Sequence, residues 1–413
     1  MSDVHLVQAS AGAATAPEPA ATRPPSVGFP GMLLLLTAIG PTSFQIFLPS
    51  LPSIGRDFGV APGVAQLALS LSMLGIAVAT LVYGRLADRF GRRPMLLAGM
   101  GLLLTGSLIC MLAPTIEVLI AGRIVQAAGG ASGMVVGRAI VLDVYGQARS
   151  ARVLASLLAA MMIAPMLATP IGGFLNDQIG WRANFAVLAV LGAGMLAALW
   201  FKLPETRGER GASPPHLFAD YAELLRSRAF AGFALQGACA MAAFIAFTTG
   251  APYVLTARGL SATEIGLWFT AISVGFAAGS LLASRLPDGL SLGVRARTGS
   301  ALALAAAVAA LLLTSGSDWP TIALVGPVMM LAFATGITMP ASQAGAIGAV
   351  PALSGTASGL SGFGGTLVAA AATQVVGVLS NGGSYTVTIA MVALSAVALA
   401  AALFVARERP RPA

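Results

Sequence analysis

Two groups of residues in this chain have the types and spacing to do chemistry. The first is the run Gly84-Arg85-Leu86-Ala87-Asp88-Arg89-Phe90-Gly91-Arg92-Arg93-Pro94, a turn holding one acid and four arginines between two long apolar stretches. Gly84 and Gly91 let the chain turn tightly and let neighbours approach. Asp88 then needs a partner, which an arginine four residues away or a helix N-terminus would supply. The second group is polar side chains set inside apolar runs: Gln45, Arg123, Gln126 and Gln236. An arginine at membrane depth is costly and faces a water-filled cavity or a partner. Arg123 therefore reads as a cavity cation receiving an anionic group, or as a structural arginine bonded to backbone carbonyls. Gln45 can exchange hydrogen bonds with a substrate, or hold two helices together.

Other chemistries lack their residues. The chain has no phosphate-cradling glycine loop and no nucleophile with a placed base, which argues against an enzyme and an ATP-driven pump. Cys110 and Cys239 lie in apolar runs without metal-type spacing and read as packing thiols, and His5 and His216 fall in a tail and a loop. No metal and no cofactor are expected. No acid lies well inside an apolar run.

The elements that must position these residues follow from composition. Of 413 residues 57% are hydrophobic and only 9% charged, with a mean hydropathy of +0.87. A soluble domain carries about 25% charged residues, so most of this chain belongs in lipid. Only helices and closed barrels span a bilayer, and the apolar runs approach the roughly 20 residues a helix needs without the alternation of barrel strands. The net charge of +8 sits in short loops between runs and on no single soluble face, which argues for membrane topology and against nucleic-acid binding.

Twelve runs begin near Met32, Val64, Pro94, Glu117, Val153, Ala183, Ala229, Glu264, Ala296, Trp319, Ala352 and Ser384. The expected organisation is a disordered tail (1–29), a six-helix bundle (30–203), a polar central loop (204–228), a second six-helix bundle (229–406) and a short tail (407–413). With both termini in the cytoplasm, nineteen basic residues fall inside against Arg56, Arg182 and Arg258 outside, which sets the orientation. Lys202 is the only lysine, a bias that fits a GC-rich bacterial genome.

The turn resembles the signature between helices 2 and 3 of the major facilitator superfamily: Gly84, Leu86, Ala87, Asp88, Arg89, Gly91, Arg92 and Arg93 all match. The resemblance implies twelve transmembrane helices in two six-helix bundles, and a cytoplasmic gate of Asp88, Arg89, Arg92 and Arg93 with Arg138 and Asp143 at the end of helix 4. It also implies that Asp88 lies near the N-terminus of the eleventh helix, Ser354 to Ala357, when the inside is closed. Ordinary surface salt bridges are the plainer account of such a cluster. Arg123, Gln126 and Gly129 resemble the helix 4 motif of drug exporters, where the arginine influences proton coupling. Ala164 to Gly173, with Pro165, Pro170, Gly172 and Gly173, resembles the exporter signature of helix 5, with one residue rather than two between the second proline and the paired glycines. Phe44 to Pro52 is similar to the first helix of bicyclomycin-resistance drug:proton antiporters, which carry aspartate where Gln45 stands. A carboxylate can load and release a proton and an amide cannot.

The resemblance thus implies a monomeric carrier in a bacterial inner membrane that exports small organic molecules in exchange for protons. An uptake or symport carrier for a small anionic metabolite, with Arg123 as the anion's partner, is one alternative. A membrane sensor that kept the fold is another.

Overall fold

A computed structural model describes residues 28–206, 217–287, 290–316, 318–380 and 382–405, excepting the side chains of 146–149, 151–152, 155, 158 and 217–219. His5, His216 and the arginines of both tails lie outside the described residues. Thirteen α-helices follow in order: α1 (Phe29–Gln45), α2 (Leu51–Asp57), α3 (Pro62–Phe90), α4 (Arg92–Met111), α5 (Ile116–Gln178), α6 (Arg182–Lys202), α7 (Leu217–Arg226), α8 (Arg228–Ala257), α9 (Ala262–Arg285), α10 (Leu292–Leu313), α11 (Thr321–Gly348), α12 (Ser354–Leu379) and α13 (Ser384–Val405). They supply twelve stretches long and apolar enough to cross a membrane. In hydrocarbon every backbone amide must bond within its own helix, so unbroken apolar runs fold this way. The chain is an all-α membrane protein of two six-helix bundles, α1 to α6 and α8 to α13.

Three boundaries differ from the hydropathy pattern. The turn between the second and third runs is almost wholly helical: Asp88 is in the last turn of α3, Arg92 begins α4, and only Gly91 interrupts them, at φ 102°. That backbone conformation is open to glycine and strained for other residues. The fourth and fifth runs form one 63-residue helix, α5, whose spans are Ile116–Tyr145 and Ala159–Gln178. Both ends of this stretch lie at the same face of the molecule, with Gly122 against Cys110 and Asp177 bonded to Thr263, so the chain reverses between the two spans while its residues stay helical, and the fall in hydropathy marks that reversal outside the bilayer. The central connector contains the amphipathic helix α7, which buries Leu224 against Phe230, Ala346 and Ala357. The first run is itself broken. Helix α1 stops at Gln45, a 3₁₀ turn covers Leu48–Ser50, and α2 continues to Asp57. Pro49 and Pro52 lack the amide hydrogen that would carry a helix through.

We call the side where α1 begins and α13 ends the terminus face, and the opposite side the far face. In the far half one hydrophobic cluster runs across both bundles, joining Phe47, Leu69 and Phe185 to Phe247, Phe269 and Val376. Towards the terminus face the clusters separate, one around Leu36, Leu103 and Ile140 and another around Phe230, Phe233 and Ala402. The bundles meet where α3 packs on α12 and α5 on α9.

Within the first bundle α4 and α5 approach through glycine. A Cβ at Gly106 would lie 2.6 Å from the Gln126 Cα, and one at Gly129 would lie 2.5 Å from the Gly99 carbonyl oxygen, both rigid backbone atoms. Gly101 on the same helix pair has open space. Gly129→Ala should therefore destabilise the bundle by about 1–3 kcal/mol. Gly101→Ala should be neutral or slightly stabilising, and thermal unfolding in detergent compares the two.

Candidate functional site

The signature cluster on the terminus face is assembled from three separate stretches of chain. The Arg92 guanidinium donates from Nη1 to Asp88 Oδ1 at 2.6 Å, one helical turn back, and from Nε to Asp143 Oδ2 at 3.0 Å. Arg92 and Asp143 are largely buried, with side chains 13% and 14% exposed, whereas Asp88 is half exposed at 51%. The third stretch supplies Glu205, just beyond α6. Its carboxylate accepts from the backbone amides of Arg92 at 2.8 Å and Arg93 at 3.2 Å. Those are orphan donors of the first turn of α4, and a carboxylate at a helix N-terminus is favoured by the dipole. Arg93 donates to the Trp200 carbonyl at 2.7 Å, and Arg89 lies over the Phe90 ring. Arg138 is exposed and, among the described residues, forms no ion pair with the cluster. Gly84 has open space around it, and so does Gly355 at the start of α12.

Arg123 lies in the core of the first bundle, 1% exposed, about two turns from the far end of α5. Its Nη1 donates to the Ser43 carbonyl at 3.1 Å and to Gln126 Oε1 at 2.6 Å, and its guanidinium stacks over the Phe47 ring at 4.6 Å. Gln126 in turn donates to Ser107 Oγ at 2.7 Å. The Ser43 carbonyl is reachable because the helix ends two residues later, and Phe47 sits in the break. The break in the first span thus builds the arginine's pocket. Among the described residues no acid joins it; Arg123 Nε is buried without a hydrogen-bond partner. Gln45 is two residues from both Ser43 and Phe47, which places it on the opposite side of the helical path. It is half-buried, and its Oε1 has no partner.

Gln236, set by its polarity among the cavity residues, is fully buried inside the second bundle. It donates to Ser300 Oγ at 2.9 Å and accepts from Ser342 Oγ, so both ends of the amide are occupied by neighbouring helices. The exporter motif lies at the seam between the bundles. Thr169 Oγ1 bonds back to the Pro165 carbonyl at 3.0 Å, occupying an acceptor in the proline-interrupted turn. Gly172 lets α5 touch the Ile46 carbonyl, Gly173 lets it touch the Ala262 carbonyl, and a Cβ at Gly266 would meet the Pro170 Cα at 2.6 Å.

The seam carries polar groups that sequence reasoning did not single out. Gln66 on α3 donates to the Thr249 carbonyl of α8 at 2.9 Å. Gln374 on α12 accepts from Ser70 at 2.9 Å and donates to the Gly63 carbonyl at 3.1 Å. Asp177, at the far end of α5, accepts from the backbone amides of Ala262 and Thr263 and from the Thr263 hydroxyl. Towards the terminus face the seam parts. The first half of α12 is exposed or half-buried at every position but Ala357, and a Cβ at Gly355, Gly359, Gly362 or Gly364 would meet nothing within 4 Å. The space between the bundles is therefore closed at the far face and open at the terminus face. Asp177 and Glu205 each carried a local signal, an acid at the end of an apolar run, but their partners lie 85 and 113 residues away.

Comparison with known proteins agrees with this architecture. The family model described as Major Facilitator Superfamily matches residues 33–373. Among curated proteins, the chain is 29% identical over 336 residues to multidrug resistance protein D of Escherichia coli K12, covering 80% of this chain and 84% of that one. It is 33% identical over 172 residues to the multidrug resistance protein MdtL of Escherichia coli O81, covering 42% of this chain and 44% of that one. Two solved structures share the fold. One is a bacterial homologue of the human lysosomal transporter Spinster, inward-facing and occupied, with a TM-score of 0.74, 17% identity and coverage of 93% and 97%. The other is the xylose transporter XylE of Escherichia coli, inward open, with a TM-score of 0.71, 13% identity and coverage of 92% and 95%.

Gln126→Leu tests the arginine site. It removes the shortest hydrogen bond to a buried cation and leaves Ser107 without its donor. A loss of about 1.5–3 kcal/mol is expected, read as a lower unfolding midpoint.

Proposed function

Because the chain belongs to the major facilitator superfamily, we propose that it is an exporter of small organic molecules that works by alternating access. Transport itself is the family's activity, and the relatives named as multidrug resistance proteins favour export of drug-like compounds. The observation that carries the mechanism is the seam: two bundles joined through their far halves and separated by open space along the first half of α12. With the basic residues concentrated on the terminus face, that face is the cytoplasmic one. The structure then corresponds to an inward-open state, in which cargo enters between the bundles from the cytoplasm. Residues 30–203 and 229–406 are the moving units, linked by the connector that holds α7, in the inner membrane and as a monomer.

The roles of the site residues follow. Arg92, held by Asp88, Asp143 and the Glu205 cap, is the fixed part of a cytoplasmic gate that closes on α12 when the bundles rock. Arg89, Arg93 and Arg138 add positive charge at its rim, and Gly84 and Gly91 allow the close approach. Arg123 and Gln126 form a rigid cation site beside the cavity, Gln45 offers an unoccupied amide oxygen, and Gln236 positions the helices of the second bundle. Pro165, Pro170, Gly172 and Gly173 set the bend and the close packing of α5 at the seam. Exchange for protons is the coupling the resemblance suggests; an amide at position 45 cannot load a proton, so another group would carry it. Arg123, a buried cation with no acid beside it among the described residues, favours a second reading in which the cargo is a small organic anion.

The test is acridine-dye dequenching in everted membrane vesicles that hold a respiration-driven pH gradient. Lipophilic cations, neutral antibiotics and organic anions are added in turn, with empty-vector vesicles as control. Dequenching that needs the transporter and falls at least tenfold in Arg123→Ala supports proton-coupled export. Silence with compounds that raise the protein's unfolding temperature contradicts it. Accumulation of a labelled anion in right-side-out vesicles would establish the second reading.

A further inference from the structure

Among the described residues, Asp177 is the one acid placed across the seam with its donors on the other bundle. Its Oδ1 accepts from the Ala262 amide at 3.2 Å, and its Oδ2 accepts from the Thr263 amide at 2.8 Å and the Thr263 hydroxyl at 2.6 Å. These are first-turn donors of α9, where the helix dipole favours a negative charge. Helix α9 does not need Asp177 in order to start. Ser261 and Glu264 already form a complete capping box within the same loop. The box satisfies the amides of Ser261 and Glu264, and Asp177 takes the two that it leaves, those of Ala262 and Thr263, from across the seam. Around it the seam is at its closest, with Gly173 against the Ala262 carbonyl and Gly266 against Pro170.

The position of this tie has a counterpart on the other face. Major facilitator folds nest inverted three-helix repeats within each half, so the second span corresponds to the fifth and the eighth to the eleventh. Asp177 ends the fifth span and bonds the start of the eighth. Asp88 ends the second span, and the start of the eleventh lies on its face. The two target helices begin alike, with Ser261-Ala262-Thr263 at α9 and Ser354-Gly355-Thr356 at α12. Here the first pair is joined, while Asp88 is half exposed and Gly355 meets nothing within 4 Å.

We propose that Asp177 is the positioning residue that shuts the far face, a carboxylate tie to the N-terminus of α9 that forms in the inward-open state and breaks when the far face opens. This rests on the alternating-access reading above. The tie borders a cleft of about 250 Å³ lined by Ser53, Arg56, Asn176 and Asp177, so solvent competes for its bonds. Its strength is that of a helix cap, enough to bias two states and weak enough to release. Removing it shifts the ratio of far-open to far-closed molecules by roughly three- to thirtyfold.

Spin-label distances in lipid nanodiscs test this. One cysteine pair replaces Leu112 and Leu312, exposed at the far ends of α4 and α10; another replaces Phe90 and Leu292 at the terminus face. The native Cys110 and Cys239 are buried. Asp177→Ala is expected to raise the long-distance population of the far pair and lower that of the terminus pair. Asp177→Asn, which keeps one acceptor and the side-chain shape, should shift both in the same direction by less, as should Thr263→Val. Glu264→Gln, which alters only the cap within the loop of α9, should leave both unchanged. The inference is overturned if Asp177→Ala and Asp177→Asn leave the far-face distances as in the parent, or if Glu264→Gln moves them equally. A parent protein whose two pairs never exchange populations, with or without cargo, contradicts alternating access; the tie is then judged by whether Asp177→Ala alone opens the far face.

Discussion

Everything in this molecule depends on how two helical bundles can touch inside a bilayer. Lipid tails are as apolar as leucine, so no hydrophobic force drives the bundles together there, and contact must come from close packing and hydrogen bonds. The far half of the seam supplies both. Glycines 173 and 266 bring backbone against backbone, and Gln66, Gln374 and Asp177 carry hydrogen bonds across. The terminus half has its glycines on α12 without a facing surface. A seam sealed at one end and parted at the other is what a pair of rocking bodies presents in one of its two states.

The proposed rocking also requires that each body keep its shape. Within the first bundle the cation site does this work: Arg123 holds the end of α1 through Ser43, stacks on Phe47 in the break, and bonds Gln126, which holds Ser107 on α4. Gln236 ties the second bundle in turn, joining α8 to α10 and α11 through Ser300 and Ser342. Each network is buried within a single bundle, so it can persist while the seam rearranges. On the terminus face the Arg92 cluster is likewise internal to the first bundle, with Asp88 and Asp143 on either side and Glu205 capping α4. That leaves Asp88 half exposed.

The twelve spans were legible because apolar length is a local property, and every run began within about six residues of its helix or span. The 2–3 turn was legible for the same reason, since Asp88 and Arg92 are one helical turn apart. What hydropathy could not show was helical backbone outside the bilayer, which carries α5 through the reversal between its two spans and forms α7 within a polar connector. Polar residues in apolar runs were visible as oddities, but their roles depended on partners far along the chain. Gln236 was grouped with the cavity, yet its serines are 64 and 106 residues away and enclose it completely. Asp177 was legible only as an acid at the end of an apolar run, and only the folded seam places it on α9.

We take the space along the first half of α12 to be the cargo's path from the cytoplasmic side. Single cysteines at Gly359 and Gly362, where the structure has open space, and at the buried Ala370 test it most directly with a membrane-impermeant maleimide. In everted vesicles, where the cytoplasmic face is outside, positions 359 and 362 should label quickly, slow when a transported compound is added, and outpace position 370 by at least tenfold. Labelling of 359 and 362 that is as slow as at 370, or that proceeds only from the opposite face in intact cells, would contradict the account.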